Sequence, residues 1–146
     1  MDVAEILPAS CPELADALAG AGLPVDDLDE SGRRFFRFLD DGGALVGFIG
    51  WELAGEAVLL RSLVVVPAMR GCGFSRRMMQ WTLARLAEAG FAEAYLLTTS
   101  IADLAGRMGF VAVDRAQVPQ GIKASRQFTT LCPSSAVVMR RATRSP

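Results

Sequence analysis

The stretch that most limits what this chain can fold into runs from Val58 to Arg77, VLLRSLVVVPAMRGCGFSRR. Its first part, Val58 to Val66, is apolar and β-branched apart from Arg61 and Ser62, the pattern of a strand buried on both faces. Pro67 ends that strand, because proline cannot donate a ladder hydrogen bond. Arg70-Gly71-Cys72-Gly73-Phe74-Ser75 follows, and a helical pattern begins at Arg76. A glycine-rich turn between strand and helix gathers backbone N–H groups in one place, and the helix dipole adds partial positive charge there. Such a turn suits a phosphate or pyrophosphate, and Arg70, Arg76 and Arg77 surround it with full charges. The same glycines also serve tight packing alone, so both readings stand on the residues. With only Gly71 and Gly73, the dinucleotide fingerprint G-x-G-x-x-G is not met, and the absence of G-K-[ST] excludes a Walker A loop.

What the chain lacks narrows its chemistry. It has no histidine and no asparagine, which removes Ser-His-Asp and Cys-His nucleophile pairs, H-E-x-x-H zinc sites and any histidine base. Its three cysteines, Cys11, Cys72 and Cys132, form no C-x-x-C pair, and an odd number argues against a disulfide scaffold. The opening residues, MDVAEILPAS, carry Asp2 and Glu5 and no basic segment, unlike a signal peptide. No apolar run reaches the roughly 20 residues of a membrane span. A cytoplasmic protein with free thiols and no membrane partner is expected. No metal site is expected, since scattered cysteines do not read as zinc ligands.

Charge is unevenly spread. Residues 1–56 hold 12 acidic and 3 basic side chains, residues 57–146 hold 4 acidic and 12 basic ones. A basic half around a phosphate-type loop suits a polyanionic small ligand. Nucleic acid ranks below it, because the basic residues form no compact run and have no interleaved aromatics.

At 146 residues the chain is expected to be one domain, 1–146, of alternating elements. Val3 to Leu7 reads as a strand, and Pro12-Glu13 opens a helix ended by Gly20 and Gly22. Leu23 to Gly32 reads as a solvated acidic loop with a short turn at Asp26 to Glu30. Arg33 to Asp40 and Ala44 to Leu53 form a hairpin, and the Val58 strand follows. A helix over 73–89, a strand over Ala94 to Thr98, a helix over Ile101 to Met108 and a strand over Phe110 to Val113 come next. Pro119 to Phe128 is read as helix and Ser135 to Arg140 as the last strand. The class is α+β: a mixed, largely antiparallel sheet of about seven strands with helices on both faces.

The strand ending Val65-Val66-Pro67, followed by Arg70, Gly73 and Ser75, resembles the acetyl-CoA signature R/Q-x-x-G-x-G/A of the GCN5-related N-acetyltransferases (GNAT). Ser75 stands where that family prefers Gly or Ala. The element order is similar to that fold too, which implies a parallel, splayed central strand pair with the thioester in its wedge. The resemblance assigns Leu63, Val64, Val65, Arg70, Gly71, Cys72, Gly73, Phe74, Ser75 and Arg76 to acetyl-CoA, the cosubstrate. A second family pattern, N-x-x-A-x-x-L-Y-x-K-x-G-F, aligns with Thr98, Ile101, Leu104, Ala105, Arg107, Gly109 and Phe110. It adds Thr98 and Arg107 to the acetyl-CoA set. The tyrosine that commonly protonates the leaving thiolate is replaced by Ala105, and Ala105→Tyr is expected to raise turnover where the pocket admits the ring. Tyr95 reads as core.

The segments LLRSLVVVP and YLLTTS, with the tail from Val113, look like the arsenic-resistance branch of the family, which implies an amino-acid-like acceptor bearing an oxyanion. The expected activity is acetyl transfer from acetyl-CoA to the amine of such an acceptor by direct attack. Glu52 and Glu56, at strand ends, are the candidate bases, against the alternative of plain surface carboxylates. Arg33, Arg61 and Arg126 are candidate anchors for the oxyanion. Cys132-Pro133 reads as a turn, with three cysteines around trivalent arsenic as the alternative. A homodimer is one option for the assembly. The rival readings are a non-catalytic CoA-binding sensor or partner module, and a phosphate-binding interaction domain.

Overall fold

The computed structural model describes residues 1–144. Two compact units partition the described residues: Met1–Glu52 with Arg61–Met79, and Leu53–Leu60 with the residues from Gln80 onward. Among the described residues seven strands pair, in the order 2–6, 33–39, 45–54, 57–65, 93–98, 137–142 and 111–112.

The first unit begins with β1 (Asp2–Ile6) and α1 (Pro12–Gly20), then β2 (Arg33–Leu39) and most of β3 (Leu45–Ala54). It closes on the second half of β4 (Ala57–Val65) and the start of α2 (Phe74–Glu88). β1 lies antiparallel to β2, and β2 to β3, with Arg33 opposite Glu52 and a register shift at Phe38/Leu39. Asp40 makes the hairpin turn: its Oδ1 accepts from the amides of Gly42 and Ala44, both at 2.9 Å. Pro12 starts α1 where its missing N–H costs nothing, and Leu14 and Leu18, one turn apart, are fully buried against Phe35, Phe48 and Val64. Each such side chain contributes about 1.5–3 kcal/mol by leaving water.

The second unit holds the start of β4, then β5 (Glu93–Thr98), α3 (Ala102–Arg107), β6 (Val111–Ala112), α4 (Gln120–Ala124) and β7 (Val137–Ala142). β4 and β5 run parallel, with Leu59 opposite Tyr95 and Leu60 opposite Leu96, while β7 is antiparallel to β5 and to β6. Its core gathers Leu59, Tyr95, Val118, Ile122 and Val138, so Tyr95 is core, as read. α4 touches the β3–β4 turn backbone to backbone. A Cβ on Gly121 would fall on the carbonyl of Ala54, well inside van der Waals contact, so only glycine fits.

Two readings need correcting. The helix expected over Pro119 to Phe128 breaks at Ser125, which is extended at φ −69°, ψ 150°, and a π-helical turn, Gln127–Leu131, follows. Ser125 Oγ donates to Ile122 O (2.7 Å) and accepts from Phe128 N (3.2 Å), replacing the helix ladder with a local side-chain bond. The acidic loop is not solvated throughout: Asp27 is buried. Among the described residues no helix is long and apolar enough to cross a membrane.

Candidate functional site

The β4 run has one charged interruption, Arg61, and its guanidinium is buried. A buried arginine needs a carboxylate, and here it has two. Asp27 takes the fork bidentately, Oδ2 to Nη1 at 2.5 Å and Oδ1 to Nη2 at 2.7 Å. Glu52 Oε1 accepts from the same Nη1 at 3.1 Å. Arg61 Nε donates to Ser62 Oγ at 3.1 Å, and Ser62 sits in the left-handed region at φ 61°, the one such non-glycine among the described residues. Arg33 completes the group: its Nε donates to Asp27 Oδ2 (2.9 Å), its Nη1 to Ser31 O (2.8 Å), and its Nη2 lies 3.3 Å from Glu52 Oε2. Glu30 stands at the outer edge, 3.7 Å from Arg33 Nη2. The strand register accounts for part of this, since Arg33 is directly opposite Glu52.

Their surroundings shift the two carboxyl groups in opposite directions. Burial pushes Asp27 up, but the hydrogen bonds and charge of Arg61, then of Arg33, outweigh it and hold the group below the ordinary 3.8. Burial also pushes Glu52 up and there prevails over Arg61 and Arg33, aided by the negative charge of Asp27, leaving it above the ordinary 4.5. Two neighbouring carboxyl groups pushed apart in this way are the contrast that an acid–base role would use.

Of the candidate bases, Glu52 is therefore buried in an ion cluster, with 3% of its side chain exposed, while Glu56 sits exposed on the turn between β3 and β4. Arg33 and Arg61, expected as oxyanion anchors, are held by Asp27 and Glu52. Arg126 lies exposed just before the π-helical turn in the second unit. Asp27 was not among the expected residues. The signal for it was Arg61 itself, a lone charge in a buried strand that requires an acid, with an acid-rich loop available to supply one.

The glycine loop follows β4 through a short 3-10 turn, Pro67–Met69. Val64 and Val65 are buried, and Arg70 Nε donates to Val65 O at 2.9 Å, tying the loop to the strand end. Gly71 and Gly73 have φ of 78° and 80°, and neither would bring a Cβ within 4 Å of another residue, so the loop surface is open. Arg77 N donates to Gly73 O at 3.3 Å to close the first turn of α2, and the amides just before it precede any acceptor within the helix. Arg76 is exposed, and the Arg77 guanidinium lies 5.3 Å over the Phe74 ring. Cys72 is exposed in the loop, its Sγ 3.7 Å from Arg70 O.

In the second unit, Thr98 Oγ1 accepts from the amides of Ser100 (3.0 Å) and Ile101 (2.8 Å), which shapes the entry to α3. Arg107 is exposed at the end of α3, and Ala105 is fully buried on it. The buried position bears on the condition set for Ala105→Tyr: a ring there has to displace packed atoms. Each thiol has a local neighbour: Cys11 with Glu13 Oε2 (3.3 Å), Cys72 as above, and Cys132 with Gln127 Oε1 (3.0 Å). Among the described residues no group of three His, Cys, Asp or Glu side chains could hold a metal ion.

Residues 4–110 match the model of the acetyltransferase (GNAT) family. No curated protein matches by sequence. Among solved structures, a GNAT-family acetyltransferase from Staphylococcus aureus superposes with a TM-score of 0.77 at 16% identity, over 98% of this chain and 99% of that one. N-acetylglutamate synthase from Neisseria gonorrhoeae, complexed with coenzyme A and N-acetyl-glutamate, gives 0.76 at 16% identity, over 99% of this chain and 36% of that longer one. An aminoglycoside 6'-N-acetyltransferase complexed with coenzyme A gives 0.69 at 17% identity, over 100% and 99%. At these identities the likeness is one of fold, and it is the mixed sheet with one parallel pair described above.

Proposed function

The chain belongs to the GNAT acetyltransferase family, and on that premise we propose that it moves acetyl from acetyl-CoA to the amine of a small, amino-acid-like acceptor, phosphinic and arsenical amino acids included. It is an acetyl-CoA-dependent N-acetyltransferase, and acetyl-CoA supplies the activated acetyl thioester. One observation carries the reading: the open loop from Arg70 to Ser75, between buried β4 and the start of α2. The loop fits a pyrophosphate, because Gly71 and Gly73 leave room for a bulky anion and the first-turn amides of α2 face no helical acceptor. Arg76 adds charge beside it, and Leu63, Val64 and Val65 are the strand residues assigned to the thioester end.

Glu52 serves as the base. It takes a proton from the acceptor ammonium, through water given its burial, and the freed amine attacks. An acceptor oxyanion that reaches Arg33 competes with Glu30 at the outer edge of that guanidinium. The departing thiolate has a pKa on the order of 8 to 9, so it leaves tolerably well without an acid. The similarity of β4, YLLTTS and the tail to the arsenic-resistance branch supports the choice of acceptor class. The reading treats 1–146 as one domain, because β3, β4 and α2 each belong partly to both compact units. Free thiols favour a reducing compartment, the cytoplasm.

Ala105 favours a second reading, a CoA-binding module without catalysis, since the helix that commonly carries the acid offers none. A thiol-release screen over amino acids, their phosphinic and arsenical analogues and aminoglycosides separates the two. The enzyme reading expects release with at least one acceptor and a loss of about 10²- to 10⁴-fold in Glu52→Gln. Acetyl-CoA binding without release on any amine would establish the module instead.

A further inference from the structure

Two carboxylates compete for one guanidinium in the first unit, and they do not share it equally. Asp27 holds both η nitrogens of Arg61, at 2.5 and 2.7 Å, and also Arg33 Nε at 2.9 Å. Glu52 has one longer bond to Arg61, at 3.1 Å, and a contact with Arg33 at 3.3 Å. We propose that Asp27 is the positioning residue of the catalytic base, occupying the Arg61 fork so that Glu52 keeps a lone pair available for the acceptor's proton. The inference rests on the assignment of Glu52 as base.

Bidentate arginine–carboxylate pairing is stronger than a single bond, so the partner that wins the fork is the one locked in its ionised form. The carboxylate that loses it remains buried without full compensation, and burial disfavours its charge. Both directions agree with the geometry: Asp27 lies below its ordinary value and Glu52 above. The charged groups facing Glu52 within its unit are Arg33 on β2, Asp27 on the loop and Arg61 on β4, with Glu30 beyond Arg33. Two cations thus meet two buried anions, and which anion takes the fork decides which one can accept a proton. The step breaks one ammonium N–H bond and forms one O–H bond on Glu52; the relaying water takes one proton and gives one, so nothing else is consumed.

Asp27→Asn removes the winning charge while keeping the shape. The amide keeps one acceptor atom and no charge, and its NH₂ opposes the guanidinium, so the Arg61 fork turns to Glu52. A carboxylate that gains such a partner falls by about 1–3 pKa units. The acid limb of kcat/KM against pH should therefore move to lower pH by about that much, with a lower plateau because a weaker base transfers the proton less well. Asp27→Glu should return the limb toward the parent. Isotope-edited NMR of the carboxyl carbons reads the same property in the parent without any variant: Asp27 should titrate below Glu52. The inference is overturned by the reverse order in that titration, or by an unmoved acid limb in folded Asp27→Asn when Glu52→Gln is inactive. Full activity in Glu52→Gln would instead overturn the base assignment, while the carboxyl titration would still report whether Asp27 holds the fork.

Discussion

Replacing Gly73 by Asp and, in parallel, by Asn tests the loop with two side chains of the same shape and different charge. Gly73 has φ 80° and nothing within 4 Å of an added Cβ, so the first side-chain atom is not obstructed in either variant. Asn and Asp are the residues that best tolerate a left-handed backbone, and the shared strain is on the order of 1 kcal/mol. What separates the pair is one negative charge in an exposed loop. Two phosphate charges about 5 Å away, at an effective dielectric of roughly 40–80, repel it by about 1.5–3.5 kcal/mol. That corresponds to roughly 13- to 370-fold in affinity. Calorimetric titration with CoA should give Gly73→Asn close to the parent and Gly73→Asp weaker by that factor. The gap should narrow as salt is raised, because an exposed charge is screened within about 10 Å at 0.1 M. Equal CoA affinity in folded Gly73→Asp and Gly73→Asn would refute the placement of the pyrophosphate at this loop.

Gly121→Ala places a methyl on the Ala54 carbonyl, so α4 must move off the β3–β4 turn; we expect a loss of about 1–3 kcal/mol in denaturant unfolding, and an unchanged midpoint would contradict the contact. Ala105→Tyr forces a ring into a fully buried position and should destabilise by at least about 1–3 kcal/mol without raising turnover; a faster, equally stable variant would show that the helix has room. Cys72 is exposed in the loop, so a thiol reagent should label it readily and bound CoA should slow that labelling, whereas equal rates with and without CoA would place the ligand elsewhere.

The parts of this protein legible in its sequence are those whose causes are local. A β-branched run closed by Pro67 and reopened by Gly71 and Gly73 announces strand, loop and helix within twenty residues, and the structure has them there. The hairpin around Asp40 was equally plain, because turn chemistry is a matter of adjacent residues. The Ser125 break was not, because a serine inside a helical pattern declares itself only when its hydroxyl finds a carbonyl one turn back. Nor does a serine in a strand announce the left-handed backbone of Ser62. Burial of Asp27 was only half legible, for a different reason. Arg61 in a buried strand calls for an acid, but its partner lies 34 residues away and nothing local says which acid of the loop answers it. Only the pair, brought together by strands β2, β3 and β4, makes either burial affordable in free energy. A strand-end position points to Glu52 from sequence alone, but its contrast with Asp27 is a product of that same tertiary arrangement.

The central claim, acetyl transfer to an amine, is tested most directly by following the acetyl group itself. The purified chain is incubated with acetyl-CoA isotopically labelled in the acetyl carbons and with the amine panel, and the acceptors are read by mass spectrometry. Label should appear on the amine of at least one amino-acid-like acceptor, matched one for one by free CoA thiol, and should nearly vanish in Glu52→Gln. Label that stays on CoA with every amine, in a chain shown to bind acetyl-CoA, would contradict the account.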